Sequence, residues 1–345
     1  MMNVLEQPMT EYLFSLYGTP VRYATASLPL IYPVNELLRH FRRDSIGAAA
    51  PLTICFQAVQ DRSDIPLTIS SSARQLSFGT GAAVGDRRET GLSYEVVQDG
   101  VRLIVDFFDI GVLVMDSAQG RADGYLIKPD TLHENMIEYL FHLALIELVR
   151  RQGLYSIHAT ALEKHGCGVL IPGNSGRGKT TSFISLLRSG YRYLSDDHPL
   201  IRDAGTHVEM LPFPIKIGVT ETTAAFFPEL RNAPDHILHP GLPKRSFHAE
   251  DMYQTSVSDA CQPAIMLLPH VADIPHSWLE PLPKSRALEA ILPQALLVYD
   301  SEIARSQFQT LTRLVQQVEC YRLHFGQDVL ELPKLITPIL ERIAA

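Results

Sequence analysis

The chain has few cysteines, a single tryptophan and no strong excess of one charge. Cys55, Cys167, Cys261 and Cys320 are spread over 345 residues without a C-x-x-C pair, which argues against a zinc knuckle or a redox dithiol. Residues 1–10 lack the basic and then apolar pattern of a secretory signal. Reduced, mostly buried thiols in the cytoplasm are therefore expected. No apolar run approaches the roughly 18 residues of a membrane helix, so no membrane partner is expected. A net charge of −8 argues against nucleic acid as the main partner. Internal repeats and low-complexity tracts are also missing. What remains is ordinary globular material, 46% hydrophobic and 20% charged, long enough for about two domains.

Against that plain background one motif stands out. Gly173-Asn174-Ser175-Gly176-Arg177-Gly178-Lys179-Thr180 is a complete G-x-x-x-x-G-K-[ST] phosphate loop. Glycines allow positive φ and close approach of the backbone to an anion. Successive N–H groups then form a nest for phosphate oxygens, and a following helix adds its N-terminal N–H groups, Thr181 included. Lys179 would meet the β and γ phosphates, and the Thr180 hydroxyl would bind Mg²⁺. The flanks fit this reading. Cys167 to Ile171 is a short apolar strand, Pro172 and Gly173 end it, and Thr181 to Arg188 reads as a helix stopped by Gly190.

A phosphate loop names a ligand but not a reaction. Tyr191 to Leu194 reads as a strand running through Ser195 into Asp196-Asp197. Such a strand lies beside the phosphate loop in many nucleotide-binding sheets. One acid could hold the metal and the other accept a proton from a hydroxyl. The bland alternative is an exposed Asp-rich turn. A competing metal acid is Asp300, at the end of Leu296-Leu297-Val298-Tyr299-Asp300. His158, on a strand read over Leu154 to Leu162, could reach the γ phosphate or the catalytic acid, or could be a core histidine satisfied by a carbonyl.

Residues 1–128 read as a strand-rich α+β N-terminal domain, with a short helix at Val34 to Phe41 and strands at Leu52 to Phe56 and Leu67 to Ile69. Leu92 to Val97 and Val101 to Phe107 form a hairpin about Gln98-Asp99-Gly100. Residues 129–345 read as the nucleotide-binding α/β domain. A helix capped by Thr131, with Glu134 completing a capping box, lies at the boundary and could serve either side. Residues 205–285 look irregular apart from a short strand at Ala264 to Leu268, and helices return at Arg286 to Leu292, Ser301 to Glu319 and Pro333 to Ile343. The histidines between His236 and His276 lack i, i+4 metal spacing. Lys216, Lys244 and Arg245 could clamp phosphate or acidic groups of a peptide, or be ordinary solvated charges.

Taken together, the stretch from His158 to Asp197 resembles the catalytic domain of the HPr kinase/phosphorylase family. His158 stands 21 residues before Lys179, and Asp197 stands 18 residues after it. The resemblance implies a fold related to ATP-type phosphoenolpyruvate carboxykinase, use of ATP and Mg²⁺, and phosphorylation of a serine on a protein or peptide. It implies Asp197 as proton acceptor, Asp196 as its neighbour, Lys179 and Thr180 as phosphate and metal ligands, and His158 as a functional histidine. The family's E-I-R-G-L-G-I segment is absent, and Leu211 to Gly218 stands in roughly that region. The resemblance is thus to HPr-kinase-related serine kinases rather than to true HPr kinases. An ATP-binding regulatory module and a small-molecule kinase are the rival readings, and a homo-oligomer is left open.

Overall fold

The computed structural model describes residues 8–47, 51–76, 93–174, 176–232, 235–239, 242–295 and 299–345. The described residues up to Gln152 form one unit and those from Gly153 a second. The division was expected at 128/129. The helix Glu134–Val149 instead goes with the first unit, because its Phe141 ring packs edge-on against Tyr23 at 5.2 Å and Phe56 at 5.8 Å. All three rings are fully buried. The helix is capped by His133, which accepts from the Asn135 N–H. Thr131 lies outside it in a 3₁₀ turn, where its hydroxyl donates to the Lys128 carbonyl.

The sheet that carries Tyr23 and Phe56 has nine strands among the described residues. Its order is Arg42–Arg43, Thr10–Leu16, Thr19–Thr25, Leu52–Val59, Arg121–Ile127, Gly111–Asp116, Arg102–Asp106, Glu95–Asp99 and Arg74–Leu76. The hairpin turn is one residue later than expected. Asp99 pairs with Arg102, leaving Gly100-Val101 as a two-residue loop with φ +63° at Gly100. The hairpin's expected first residue, Leu92, lies outside the described residues. Leu67 to Ile69 forms no strand: among the described residues no strand pairs with it, and Ile69 is exposed.

In the second unit the main sheet contains β1 (Ala159–Lys164), β2 (Cys167–Pro172), β3 (Arg192–Ser195), β4 (Gln262–Val271), β5 (Trp278–Pro281) and β6 (Glu319–Phe325). Their order is β3-β1-β2-β4-β6-β5. β2, β4 and β6 run parallel, while β1 is antiparallel to both of its neighbours β2 and β3. Helices α1 (Lys179–Arg188) and α4 (Leu332–Ala344) share a core with Val169, Ile171, Ile265 and Leu323. Helices α2 (Lys284–Ile291) and α3 (Ser301–Gln317) share another with Ala161, Leu170, Met266 and Cys320. Alternate residues of β2 enter the two cores, which is why its sequence is apolar throughout. The unit is therefore α/β, a mixed sheet covered by helices on both faces.

Several expectations for this unit need correction. The segment 205–285 is mostly regular: strands Val208–Leu211, Ile217–Val219, Asp235–His239 and Leu242–Phe247 and helices Glu221–Ala225 and Ala249–Met252 accompany β4 and β5. The helix expected to run to Glu319 ends at Gln317, and Glu319 is the first residue of β6, a strand inside the sheet. Leu154 to Leu162 is not one strand. Tyr155–Ser156 pairs with Leu200–Asp203 in a separate sheet, and β1 begins only at Ala159. All four cysteines are free thiols, and no described helix is long and apolar enough to cross a membrane.

Candidate active site

Strand direction assembles the site. Because β1 runs against β2 and β3, its beginning lies beside both of their ends, with Ala159 opposite Pro172 and Ala161 opposite Ser195. His158 precedes β1, the phosphate loop follows β2, and Asp196-Asp197 follows β3. The acid strand was expected next to the loop strand; β1 lies between them. The acids still reach the loop because β2 and β3 point the same way. Ends of parallel strands are the usual place for a ligand in an α/β sheet.

The loop has the backbone its glycines predict. Gly176 and Gly178 take φ +75° and +89°, and Gly178 caps α1. A β-carbon at Gly178 would lie 2.9 Å from the Phe325 ring. Lys179 is buried; its Nζ donates to the Gly173 carbonyl at 2.5 Å and lies 3.1 Å from His158 Nε2. The same Nε2 is 3.0 Å from Asp197 Oδ1. One ring nitrogen cannot accept from Lys179 and donate to Asp197 at once, so the histidine proton decides which neighbour it serves.

The two acids differ sharply. Asp196 is buried. The Thr160 hydroxyl donates to its backbone carbonyl at 2.6 Å and lies 3.3 Å from its Oδ1, and Thr180 Oγ1 is 3.5 Å from its Oδ2. Burial, reinforced by the charge of Asp197, pushes the Asp196 carboxyl up to about 7, while Lys179, Lys244 and the Thr160 hydroxyl pull against this. Asp197 is half-exposed and faces a cavity of about 510 Å³ with His158, Lys179 and Thr180. Burial pushes its carboxyl up too, but His158, His198 and Lys179 outweigh this and hold it well below the ordinary value. Its Oδ2 lies 3.5 Å from His198 Nε2. Burial drives His198 down to about 4 despite the attraction of Asp197, so it is neutral near pH 7.

Thr180 Oγ1 and Asp196 Oδ2 are two hard oxygen donors at one corner, which suits Mg²⁺ completed by phosphate oxygens and water. Among the described residues no group of three His, Cys, Asp or Glu side chains could hold a metal alone. The rest of the predicted loop set is more dispersed. Thr181 is buried against Thr223, at 3.1 Å between hydroxyls. Asn174 and Arg177 are exposed, and Ser175 lies outside the described residues. Asp300 is not at this site; it caps α3, accepting from the Glu302 and Ile303 N–H groups. Leu296 to Val298, before it, lie outside the described residues.

No family model matches the chain. Curated relatives do. An "HPr kinase/phosphorylase" of Exiguobacterium sp. is 27% identical over 131 residues, 38% of this chain and 41% of the relative. One from Xylella fastidiosa is 34% identical over 73 residues, 21% of this chain and 22% of the relative. One from Pediococcus pentosaceus is 48% identical over 42 residues, 12% of this chain and 14% of the relative. Over these stretches the chain is similar to HPr kinase/phosphorylases. It spans about two fifths or less of the length of these relatives. A solved "Hpr(Ser) kinase/phosphatase from Coxiella burnetii" aligns with 55% of the chain and 99% of its own length, at 11% identity and a TM-score of 0.29. Values that low assign no fold.

Sequence reasoning missed three supports of the site residues. Thr160 steadies Asp196. His198 flanks Asp197, and its place directly after the acid pair was a usable signal. Gln294 is the third: its side chain donates to Asn174 Oδ1 at 2.8 Å and its carbonyl accepts from the His158 N–H at 2.8 Å. Nothing local in the sequence marks Gln294, which arrives from over a hundred residues away.

Proposed function

We propose that this protein is an ATP-dependent kinase that transfers the γ-phosphate to a serine-type hydroxyl of a protein or peptide. One observation carries the reading: Asp197, His158 and Lys179 form a linked chain of contacts facing the cavity that also takes in the phosphate loop. In that arrangement the loop N–H groups and Lys179 hold the phosphates, and Thr180 and Asp196 are the residues that would hold Mg²⁺. The ion, when bound, neutralises charge on the β and γ oxygens. Asp197 orients the acceptor hydroxyl toward the γ phosphorus. The acceptor oxygen bonds to phosphorus, the bond to the β-side oxygen breaks, ADP departs, and the hydroxyl proton passes to Asp197.

A carboxylate held below its ordinary range is a weak base. That is tolerable here, because phosphoryl transfer proceeds through a loose transition state in which positioning matters more than early proton removal. Asp196 has the higher proton affinity, but it is buried and turned to Thr160 and Thr180, and it does not line the cavity. The test is incubation of the purified chain with γ-labelled ATP and a cell lysate, followed by mass spectrometry of the labelled product. Phosphoserine in a protein or peptide is expected. Label in a small molecule would overturn the acceptor class. Tight ATP binding without any labelled product would favour a regulatory module.

A further inference from the structure

Two lysines face the cavity, and they are held differently. Lys179 is buried, with its ammonium on the Gly173 carbonyl and His158. Lys244 reaches the same cavity from another wall, the strand Leu242–Phe247, whose antiparallel neighbour Ile217–Val219 contributes Gly218 to the lining. Its stem runs along that glycine, with Cδ 3.5 Å from where a β-carbon at 218 would sit. Lys244 is half-buried, and no carboxylate of the described residues lies within ion-pair distance of it. The adjacent Arg245, by contrast, is paired with Glu221 at 2.9 Å. A cation partly withdrawn from water without a counter-ion is unfavourable until an anion joins it.

The position indicates which anion. Lys244 lines one cavity with Gly176, Gly178, Lys179 and Thr180 of the phosphate loop and its helix. Both cations therefore face the corner of the molecule that the phosphate loop borders. Thr222 lines the same cavity and offers a hydroxyl donor. Lys179 reaches that corner from the loop, and Lys244 reaches it from a separate strand.

We infer that Lys244, with the Thr222 hydroxyl, forms a terminal-phosphate subsite that grips the phosphoryl group to be transferred. The inference rests on the ATP-dependent reading given above. As the phosphoryl group leaves ADP its equatorial oxygens retain negative charge, and a fixed cation on a second wall stabilises them. ADP has no group for this subsite, so Lys244 separates ATP from ADP. That separation gives a test without knowledge of the acceptor.

The experiment measures displacement of a fluorescent nucleotide by ATP and by ADP, with Mg²⁺, from the full chain and from Lys244→Met and Lys244→Arg. Thermal melting checks folding. Lys244→Met should weaken ATP by about tenfold or more, the scale of a charge-assisted contact, and ADP by less than about twofold. Lys244→Arg should keep most of the preference for ATP. Equal losses for ATP and ADP, or no loss for either, would overturn the subsite; the second result would assign the Lys244 charge to the acceptor side. If Lys244→Met melts well below wild type, Lys244→Gln is read by the same pair of affinities. A wild-type chain that prefers ATP to ADP while Lys244→Met keeps the same preference defeats only this inference. A wild-type chain that binds neither nucleotide defeats the kinase reading and this inference together.

Discussion

Gly178→Ala is a small change with a calculable penalty. Alanine at φ +89° adopts left-handed backbone at about 1–2 kcal/mol. Its methyl would also sit 2.9 Å from Cδ1 and 3.2 Å from Cε1 of Phe325. That ring is buried at the end of β6, so the overlap resolves by displacing core or loop, at about 1–3 kcal/mol. The total is roughly 2–5 kcal/mol, borne by the loop that would hold phosphate. In a unit of this size about 1 kcal/mol corresponds to roughly 2–4 °C, so a loss on the order of 4–20 °C in Tm is expected, with nucleotide affinity down by at least about tenfold. Gly176→Ala is the control. Its φ is +75°, but open space surrounds the added methyl, so only the backbone term of about 1–2 kcal/mol applies. Scanning calorimetry and nucleotide displacement on both variants decide the matter. A Gly178→Ala protein that melts and binds nucleotide like the Gly176→Ala control would refute the close approach of Phe325.

Asp196 gives a pH signature. Its folded carboxyl sits at about 7 against an ordinary 3.8, so between those values the folded state holds a proton that the unfolded state releases. Its stabilising contribution is complete below the lower value and is lost as pH rises through about 7. Asp196→Asn should therefore gain stability relative to wild type between pH 5 and 8 in metal-free melts; a constant difference across that range would contradict the assignment. Asp300→Ala removes a helix cap and should cost about 0.5–2 kcal/mol while leaving ATP affinity unchanged. Loss of phosphotransfer at unchanged stability would instead return Asp300 to the metal.

How much of this was legible in the sequence differs by element. The phosphate loop was legible because its chemistry is local: positive φ needs glycine, and strand, loop and helix follow one another within a few residues. The acid pair and His158 were legible as types and spacings, but their arrangement was not. Nothing near Asp196 announces that β1 separates its strand from β2, since strand order is settled by pairing between distant segments. The break at Ile157-His158, where the chain leaves one sheet for another, looks like continuous strand sequence. β6 was hidden because it follows directly on α3, and Glu319 extends the helical pattern. In residues 205–285 the prolines and histidines masked short strands whose stability comes from their neighbours rather than from periodicity.

The central claim is that Asp197 handles the acceptor hydroxyl while the loop, Lys179 and Thr180 handle the nucleotide. The most direct measurement compares Asp197→Asn with wild type for label transfer from γ-labelled ATP into lysate protein or peptide, alongside ATP affinity for both. The account predicts transfer reduced by about a hundredfold or more with ATP affinity within about threefold of wild type. Transfer at the wild-type rate by Asp197→Asn would contradict it.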